Sequence, residues 1–157
     1  MVTPTILVVD DEQLIRWSLT SRLSDVGYRI LEAESGAQAL ARCREEDVDL
    51  VLLDYRLPDS DGLAVLRKIK EAGSDTLVIM LTAHSSIDRA VEAMKHGAYH
   101  FATKPFDVEA IVLLVEKALE TTRLRREVRA LRASQAQPYS LDRMVGQSAA
   151  VVGMRAL

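Results

Sequence analysis

A chain of 157 residues with 48% apolar content and a formal net charge of -3 is long enough for one domain with a proper core and a short appendage. No apolar run approaches the roughly 18 residues a membrane helix needs, and Met1-Val2-Thr3-Pro4 leads straight into a strand-like run without a basic leader; the expectation is a cytoplasmic protein with no membrane contact. The single Cys43 excludes an internal disulfide and a thiolate metal cluster, and its place on an apolar helix face predicts an inert core thiol.

Charge is unevenly spread. Residues 1–106 hold 12 Lys and Arg against 17 Asp and Glu, whereas residues 107–157 hold 8 against 6. The first stretch is therefore not built to bind nucleic acid by general electrostatics.

In chain order, residues 5–10 (TILVVD) form an apolar run ending in acids, which predicts a buried strand. Residues 13–26 carry Leu14, Ile15, Trp17, Leu19 and Leu23 in a helical pattern closed by Gly27, with Trp17 expected to pack on the sheet. A shorter strand follows at 29–33, then a helix opened by Ser35-Gly36 with Ala37, Leu40, Ala41 and Cys43 on one face. Residues 50–54 (LVLLD) are a fully buried strand that delivers Asp54 to the end of a sheet, where the turn-forming YRLPDSDG (55–62) begins. Leu63, Leu66 and Ile69 mark a helix stopping at Gly73, and 76–82 (TLVIMLT) a fourth strand. A weaker helix at 87–96 ends at Gly97, a last strand spans 100–103 before Lys104-Pro105, and 108–119 is a strongly apolar helix. Strands alternating with helices in this way predict an α/β fold: a parallel sheet with helices on both faces, closing near residue 120.

Beyond it, residues 121–133 (TTRLRREVRALRA) contain five Arg, one Glu and neither Gly nor Pro. Leu124, Val128 and Leu131 are spaced by four and three, and Thr121, Ala118 and Leu114 extend the pattern backwards, which predicts that the last helix continues into a dimeric coiled coil. A solvated helix and a basic nucleic-acid patch are the alternatives. SQAQPY (134–139) is expected to break the helix, and 141–157 is too short to fold alone. The division is thus 1–120, a linker helix at 121–137, and a further linker with the start of another domain at 138–157.

The strand ends carry the chemistry. Asp10 and Asp11 end the first strand and Asp54 the third; in a sheet of flavodoxin-like order those strands are neighbours, so three carboxylates converge. Such a cluster needs a cation. Oxygen ligands without His or Cys favour Mg²⁺, and the absence of a ligand-dense loop disfavours Ca²⁺. Asp59 and Asp61 are read as turn and helix-cap residues rather than further ligands. Thr82 ends the fourth strand with a hydroxyl and Lys104 the fifth with an ammonium; together with a divalent cation they would neutralise an acyl phosphate formed on Asp54, the nucleophile.

VVDDE (8–12), LLDYRLPDSDG (52–62), LTAH (81–84) and GAYHFATKPFD (97–107) together resemble the receiver domain of two-component response regulators, over residues 5–120. The resemblance implies a five-stranded (βα)5 flavodoxin-like fold with strand order 2-1-3-4-5, and an Asp54 that takes a phosphoryl group from phosphohistidine on a sensor histidine kinase. It implies that Asp11, Asp54 and the backbone carbonyl of Arg56 hold Mg²⁺, with Asp10 acting partly through water, and that Thr82 and Lys104 bind the phosphoryl oxygens. Pro105 would follow a cis peptide. Thr82 and Phe101 would form the switch, Thr82 swinging toward the phosphoryl group and Phe101 turning inward. His100, where the family often has an acid, is read as exposed. The implied catalysis is on the chain itself: accepting and slowly hydrolysing its own phosphoryl group. A phosphatase of the haloacid dehalogenase type would want an acid at position 56, which is Arg56, and an FMN-binding module would not want an acidic crevice.

Within the family, IRW (15–17), the stretch 82–107 and the long last helix resemble the nitrogen-regulatory class of sigma-54-dependent activators, and LDRMVGQS (141–148) is similar to the opening of their AAA+ ATPase module. No phosphate-cradling G-x-x-x-x-G-K is present, so these residues do not hydrolyse ATP. The resemblance implies a receiver, a linker helix and the first residues of an AAA+ ATPase, acting in the full-length protein with sigma-54 RNA polymerase and DNA, without direct nucleic-acid binding by this part. It further implies a homodimer whose receivers re-pair on phosphorylation through the fourth helix, fifth strand and fifth helix (87–119), with a seam of Leu114, Ala118, Thr121, Leu124, Val128 and Leu131. In the unphosphorylated dimer the ATPase would be held off.

Overall fold

The computed structural model describes residues 3–72, 75–83 and 87–139, with 133–139 as backbone alone. Strands and helices alternate: β1 (Thr5–Val9), α1 (Gln13–Val26), β2 (Arg29–Ala33), α2 (Gly36–Glu45), β3 (Leu50–Asp54), α3 (Gly62–Glu71), β4 (Leu77–Ala83), α4 (Ile87–Lys95), β5 (His100–Lys104) and α5 (Val108–Tyr139). The strands form one parallel sheet in the order β2-β1-β3-β4-β5. Every expected strand and helix is present; β4 and β5 each run one residue further than their sequence pattern indicates.

The three central strands are apolar apart from Thr5, Asp54 and Thr82 at or near their ends, because both of their faces are covered. Side chains alternate across the sheet. Leu7, Val9, Val51, Leu53, Val78 and Met80 face Ala39 of α2, Val65, Leu66 and Ile69 of α3 and Ala93 of α4. Ile6, Val8, Leu50, Leu52, Ile79 and Leu81 face Leu19 and Leu23 of α1 and Ile111, Val112, Val115 and Ala118 of α5. Cys43 is half-buried against the first of these layers, and burial pushes its thiol pKa up, which keeps it protonated and unreactive.

Several local expectations are corrected. Trp17 is 64% exposed and Leu14 74% exposed. The inward face of α1 is Arg16, Leu19 and Leu23, and at about 100° per residue Trp17 is carried off that face. The helix α5 continues through 134–139, where a break is expected; Ser134-Gln135-Ala136-Gln137 has ordinary helix propensity, and the only breaker, Pro138, is the penultimate residue. Ala118 is fully buried in the layer that α5 makes with the sheet, and Leu114 is half-buried against it. Ala118 is therefore occupied within the domain and is not exposed to a partner, while Leu114 and Thr121 of the expected seam remain partly exposed. The stretch 141–148, Gly73 and His84 lie outside the described residues.

The chain divides into two units, Met1–Glu120 and Thr121–Leu157. In the second, Leu124, Val128 and Leu131 are exposed on the helix, and Arg123 pairs with Glu127 one turn on, at 3.0 Å. Among the described residues no helix is long and apolar enough to cross a membrane.

Candidate functional site

Register brings the site together. Val9 lies opposite Leu53, so the next residues, Asp10 and Asp54, emerge side by side. Asp54 is opposite Leu81, which puts Thr82 one step beyond it; Thr82 pairs with Thr103 and Ala83 with Lys104. All five predicted groups thus gather at one edge of the sheet. Carboxylate oxygens of Asp10, Asp11 and Asp54 lie within 4.8 Å of one another. Asp10 is completely buried, Asp54 is 6% exposed, and Asp11 faces solvent. Above them opens a cleft of about 430 Å³ lined by Asp11, Glu12, Asp54, Tyr55, Arg56, Thr82 and Lys104.

Lys104 is the cation of this cluster. Its Nζ lies 2.8 Å from Asp10 Oδ2, 3.2 Å from Asp54 Oδ2 and 3.4 Å from Glu12 Oε1. Burial alone would lower its pKa, but the hydrogen bond to Asp10 and the charges of Asp54 and Asp10 outweigh it, and the net direction is upward. Asp54 is pushed up to about 6, by burial first and then by the charge of Asp10, against the pull of Lys104 and of the Arg56 N–H, which donates to Asp54 Oδ1 at 3.4 Å. One ammonium between buried carboxylates leaves negative charge in excess, and hard oxygen donors so placed suit Mg²⁺. Thr82 is buried, its hydroxyl 3.5 Å from the carbonyl of Ala83. The Lys104–Pro105 peptide is cis.

The loop after Asp54 is folded tightly. Gly62 N–H donates to Tyr55 O at 2.5 Å and Leu57 N–H to Ser60 O at 3.1 Å. A Cβ at Gly62 would fall 2.6 Å from the carbonyl oxygen of Asp54, so only glycine lets α3 begin this close to the end of β3. Asp61 caps α3, accepting from Ala64 N–H at 2.8 Å, and Asp59 accepts from Gly36 and Ala37 N–H at 2.8 and 3.0 Å, which holds its carboxyl below the usual range. Both are cap residues, as the sequence indicates. Phe101 is half-buried against the α3–α4 side of the core, and His100 is exposed with its ring 5.9 Å from that of Phe101.

Three contacts escape the sequence reading. Arg16 is buried on α1; its Nη1 donates to the backbone oxygen of Asp10 at 2.6 Å while Glu32 and Glu34 lie 3.3 and 3.5 Å from its other nitrogens. A charged residue in step with Leu19 and Leu23 was the available signal, since a buried cation demands partners. Glu12 reaches Lys104. On α4, Arg89 donates to the Tyr55 hydroxyl at 3.0 Å and lies 5.2 Å above its ring, so α4 is tied to the residue after Asp54.

The profile of the response regulator receiver domain matches residues 6–116. The chain belongs to that family. This receiver is 41% identical over 153 residues to the nitrogen assimilation regulatory protein NtrX of Azorhizobium caulinodans, covering 96% of this chain and 33% of that one. It is 42% identical over 112 residues to the DNA-binding transcriptional regulator NtrC of Escherichia coli, covering 71% and 24%. The crystal structure of NtrX from Brucella abortus aligns with a TM-score of 0.80 at 39% identity, over 96% of this receiver and 32% of that chain. The chain therefore spans about a quarter to a third of the length of these relatives. It is a receiver of the NtrX and NtrC kind, a phospho-accepting switch of a two-component system.

Proposed function

We propose that Asp54 is the phosphoacceptor of this switch. The observation that carries the reading is the placement of Lys104 Nζ, 2.8 Å from Asp10 and 3.2 Å from Asp54 at the floor of an acidic cleft. A carboxylate oxygen of Asp54 forms the bond to phosphorus; the bond from phosphorus to an imidazole nitrogen of a sensor kinase's phosphohistidine breaks, and its electron pair leaves with the imidazole. Lys104 donates to the transferred oxygens, and the Thr82 hydroxyl rotates off the Ala83 carbonyl to do the same. Asp10, Asp11, Asp54 and the Arg56 carbonyl are the groups that would hold Mg²⁺, whose charge lets a phosphoryl dianion share the cleft with three carboxylates. Asp10, fully buried and already engaged by Lys104 and by the Glu12 N–H at 2.9 Å, suits an indirect part.

The output follows from the surface. Ile87, Val91 and Met94 make an exposed apolar stripe along α4, and Leu113 is exposed on α5; these support receiver pairing through α4, β5 and α5, with Phe101 and Thr82 as the coupled switch residues. Leu124, Val128 and Leu131 support a separate helical seam in the second unit. In the full-length protein the receiver then governs an AAA+ ATPase that acts on sigma-54 RNA polymerase at DNA, the unphosphorylated dimer holding it off.

The test is intact mass and sedimentation of the chain with Mg²⁺ and acetyl phosphate, beside Asp54→Asn. One phosphoryl adduct absent from the variant, with a changed association state, is the expected result. An adduct without a change in association would move the switch away from α4–β5–α5, and no adduct on the wild type would overturn the reading. Deleting residues 1–120 from the full-length protein should raise its ATPase activity; a fall rules out repression.

A further inference from the structure

A single carboxylate outside the cleft docks the loop after Asp54 onto a neighbouring helix. The own cap of α2, Ser35, accepts from Gln38 N–H at 3.2 Å. The first two N–H groups of α2, on Gly36 and Ala37, are instead taken by Asp59, one by each carboxylate oxygen, at 2.8 and 3.0 Å. Asp59 thus caps α2 from a loop more than twenty residues further along the chain. The approach is close: a Cβ on Gly36 would lie 2.5 Å from Ser60 Oγ and 3.3 Å from Asp59 Oδ1. Asp59 itself does not line the acidic cleft.

The same loop reaches the carboxylate of Asp54. Its Arg56 N–H donates to Asp54 Oδ1 at 3.4 Å, opposite the oxygen that Lys104 holds. Between the two ends the loop has few conformational choices. Leu57 N–H bonds Ser60 O, Gly62 N–H bonds Tyr55 O, and Arg56 bridges to Asp61. A displacement at Asp59 is therefore passed on to the Arg56 backbone. We propose that Asp59 is a positioning residue for the phosphoacceptor: by docking the loop on the start of α2 it fixes the Arg56 backbone against Asp54, and so sets Mg²⁺ affinity and the rate of phosphoryl acceptance. The inference rests on the reading of Asp54 as the acceptor. It calls for a carboxylate, because two parallel N–H donors are met by two acceptor oxygens, and an amide offers one.

The experiment separates docking from mere helix capping. Ser35→Ala weakens the same helix start without touching the loop. Asp59→Ala weakens it and frees the loop, and Asp59→Asn keeps one acceptor. Mg²⁺ binding is read by titration calorimetry, adduct formation from acetyl phosphate by intact mass, and stability by melting in EDTA. Both Ala variants are expected to melt earlier than the wild type. Only Asp59→Ala should weaken Mg²⁺ binding, by about tenfold, the lower end for loss of a group that orients metal ligands, and slow adduct formation; Asp59→Asn should fall between. Unchanged Mg²⁺ affinity in Asp59→Ala overturns the inference, as does an equal loss in Ser35→Ala. Should Asp59→Ala fail to fold, Asp59→Asn against Ser35→Ala makes the same comparison. A wild type that neither binds Mg²⁺ nor forms an adduct removes the phosphoacceptor reading instead, and this inference with it.

Discussion

Two buried aspartates flank one strand and have opposite fates. Asp49 directly precedes β3 and Asp54 ends it; they are 7% and 6% exposed. Asp49 accepts the Thr5 N–H at 2.8 Å through Oδ2, while its own N–H and carbonyl bond Thr5 O and Leu77 N–H at 2.9 and 3.1 Å. It fastens β1, β3 and β4 together at the edge where the strands begin. Among the described residues, Asp54 shares one ammonium with Asp10 and its carboxylate has a single long backbone hydrogen bond. Equal burial therefore says little about role. What distinguishes a site from a fastener is whether the buried charge has enough partners of its own.

The contrast can be broken most decisively by phosphoryl transfer. Asp54→Asn is expected to abolish the adduct, whereas Asp49→Asn should retain it, since an amide oxygen still accepts the Thr5 N–H; intact mass after incubation with acetyl phosphate decides. An adduct on the first variant, or none on the second, would erase the distinction. A smaller effect is expected at the shared cation. Lys104→Ala should slow adduct formation by about 10²-fold, the order seen when one donor to a developing oxyanion is removed, and a rate near that of the wild type would mean that Lys104 serves only to neutralise Asp10.

The third effect is one of stability and has a definite sign. In the metal-free protein Asp54 holds its proton up to about 6, against 3.8 for an ordinary Asp. A carboxyl with a raised pKa contributes stability below its unfolded value and loses it as pH rises through the folded one. In EDTA the melting temperature of the wild type should thus fall relative to Asp54→Asn as pH passes from about 4 to above about 6, and Mg²⁺ should reduce the fall. A difference between the two proteins that does not vary with pH would mean that Asp54 is as well provided with partners as Asp49.

Why the strand ends were legible from sequence follows from the same packing. A strand covered on both faces is apolar to its last residue, so Asp10 and Asp54 stand out as the first polar residues after LVV and LVLL, whereas Lys104 ends an edge strand that already carries His100 and Thr103 and is marked by the Pro105 that follows it. Their meeting in space then needs only the strand order. Lateral contacts had no such marker. Nothing local announces that Asp59 caps a helix begun at Gly36, or that Arg89 reaches Tyr55 from α4. Trp17 was misplaced because five apolar residues in α1 span more than one face, and counting them does not show which face the sheet covers. Ala118 fits a heptad and also fits a core, and the close packing of α5 on the sheet resolves the choice.

The common direction of all five strands has an electrical consequence. Each helix begins near the edge where its strand ends, and a helix start carries roughly half a positive charge. The side chains follow that polarity. Asp61 caps α3, Asp59 closes on α2, and Asp88 and Glu109 sit in the first turns of α4 and α5. At the far ends stand Arg42 and Arg44 of α2, Lys68 and Lys70 of α3, and Lys95 of α4. Each of these charges opposes the partial charge of the helix end it sits on, so α2, α3 and α4 are steadied at both ends by their own side chains. The carboxylates at the helix starts use up the backbone's partial positive charge there, so countering the charge of the cleft falls to Lys104 and a bound cation.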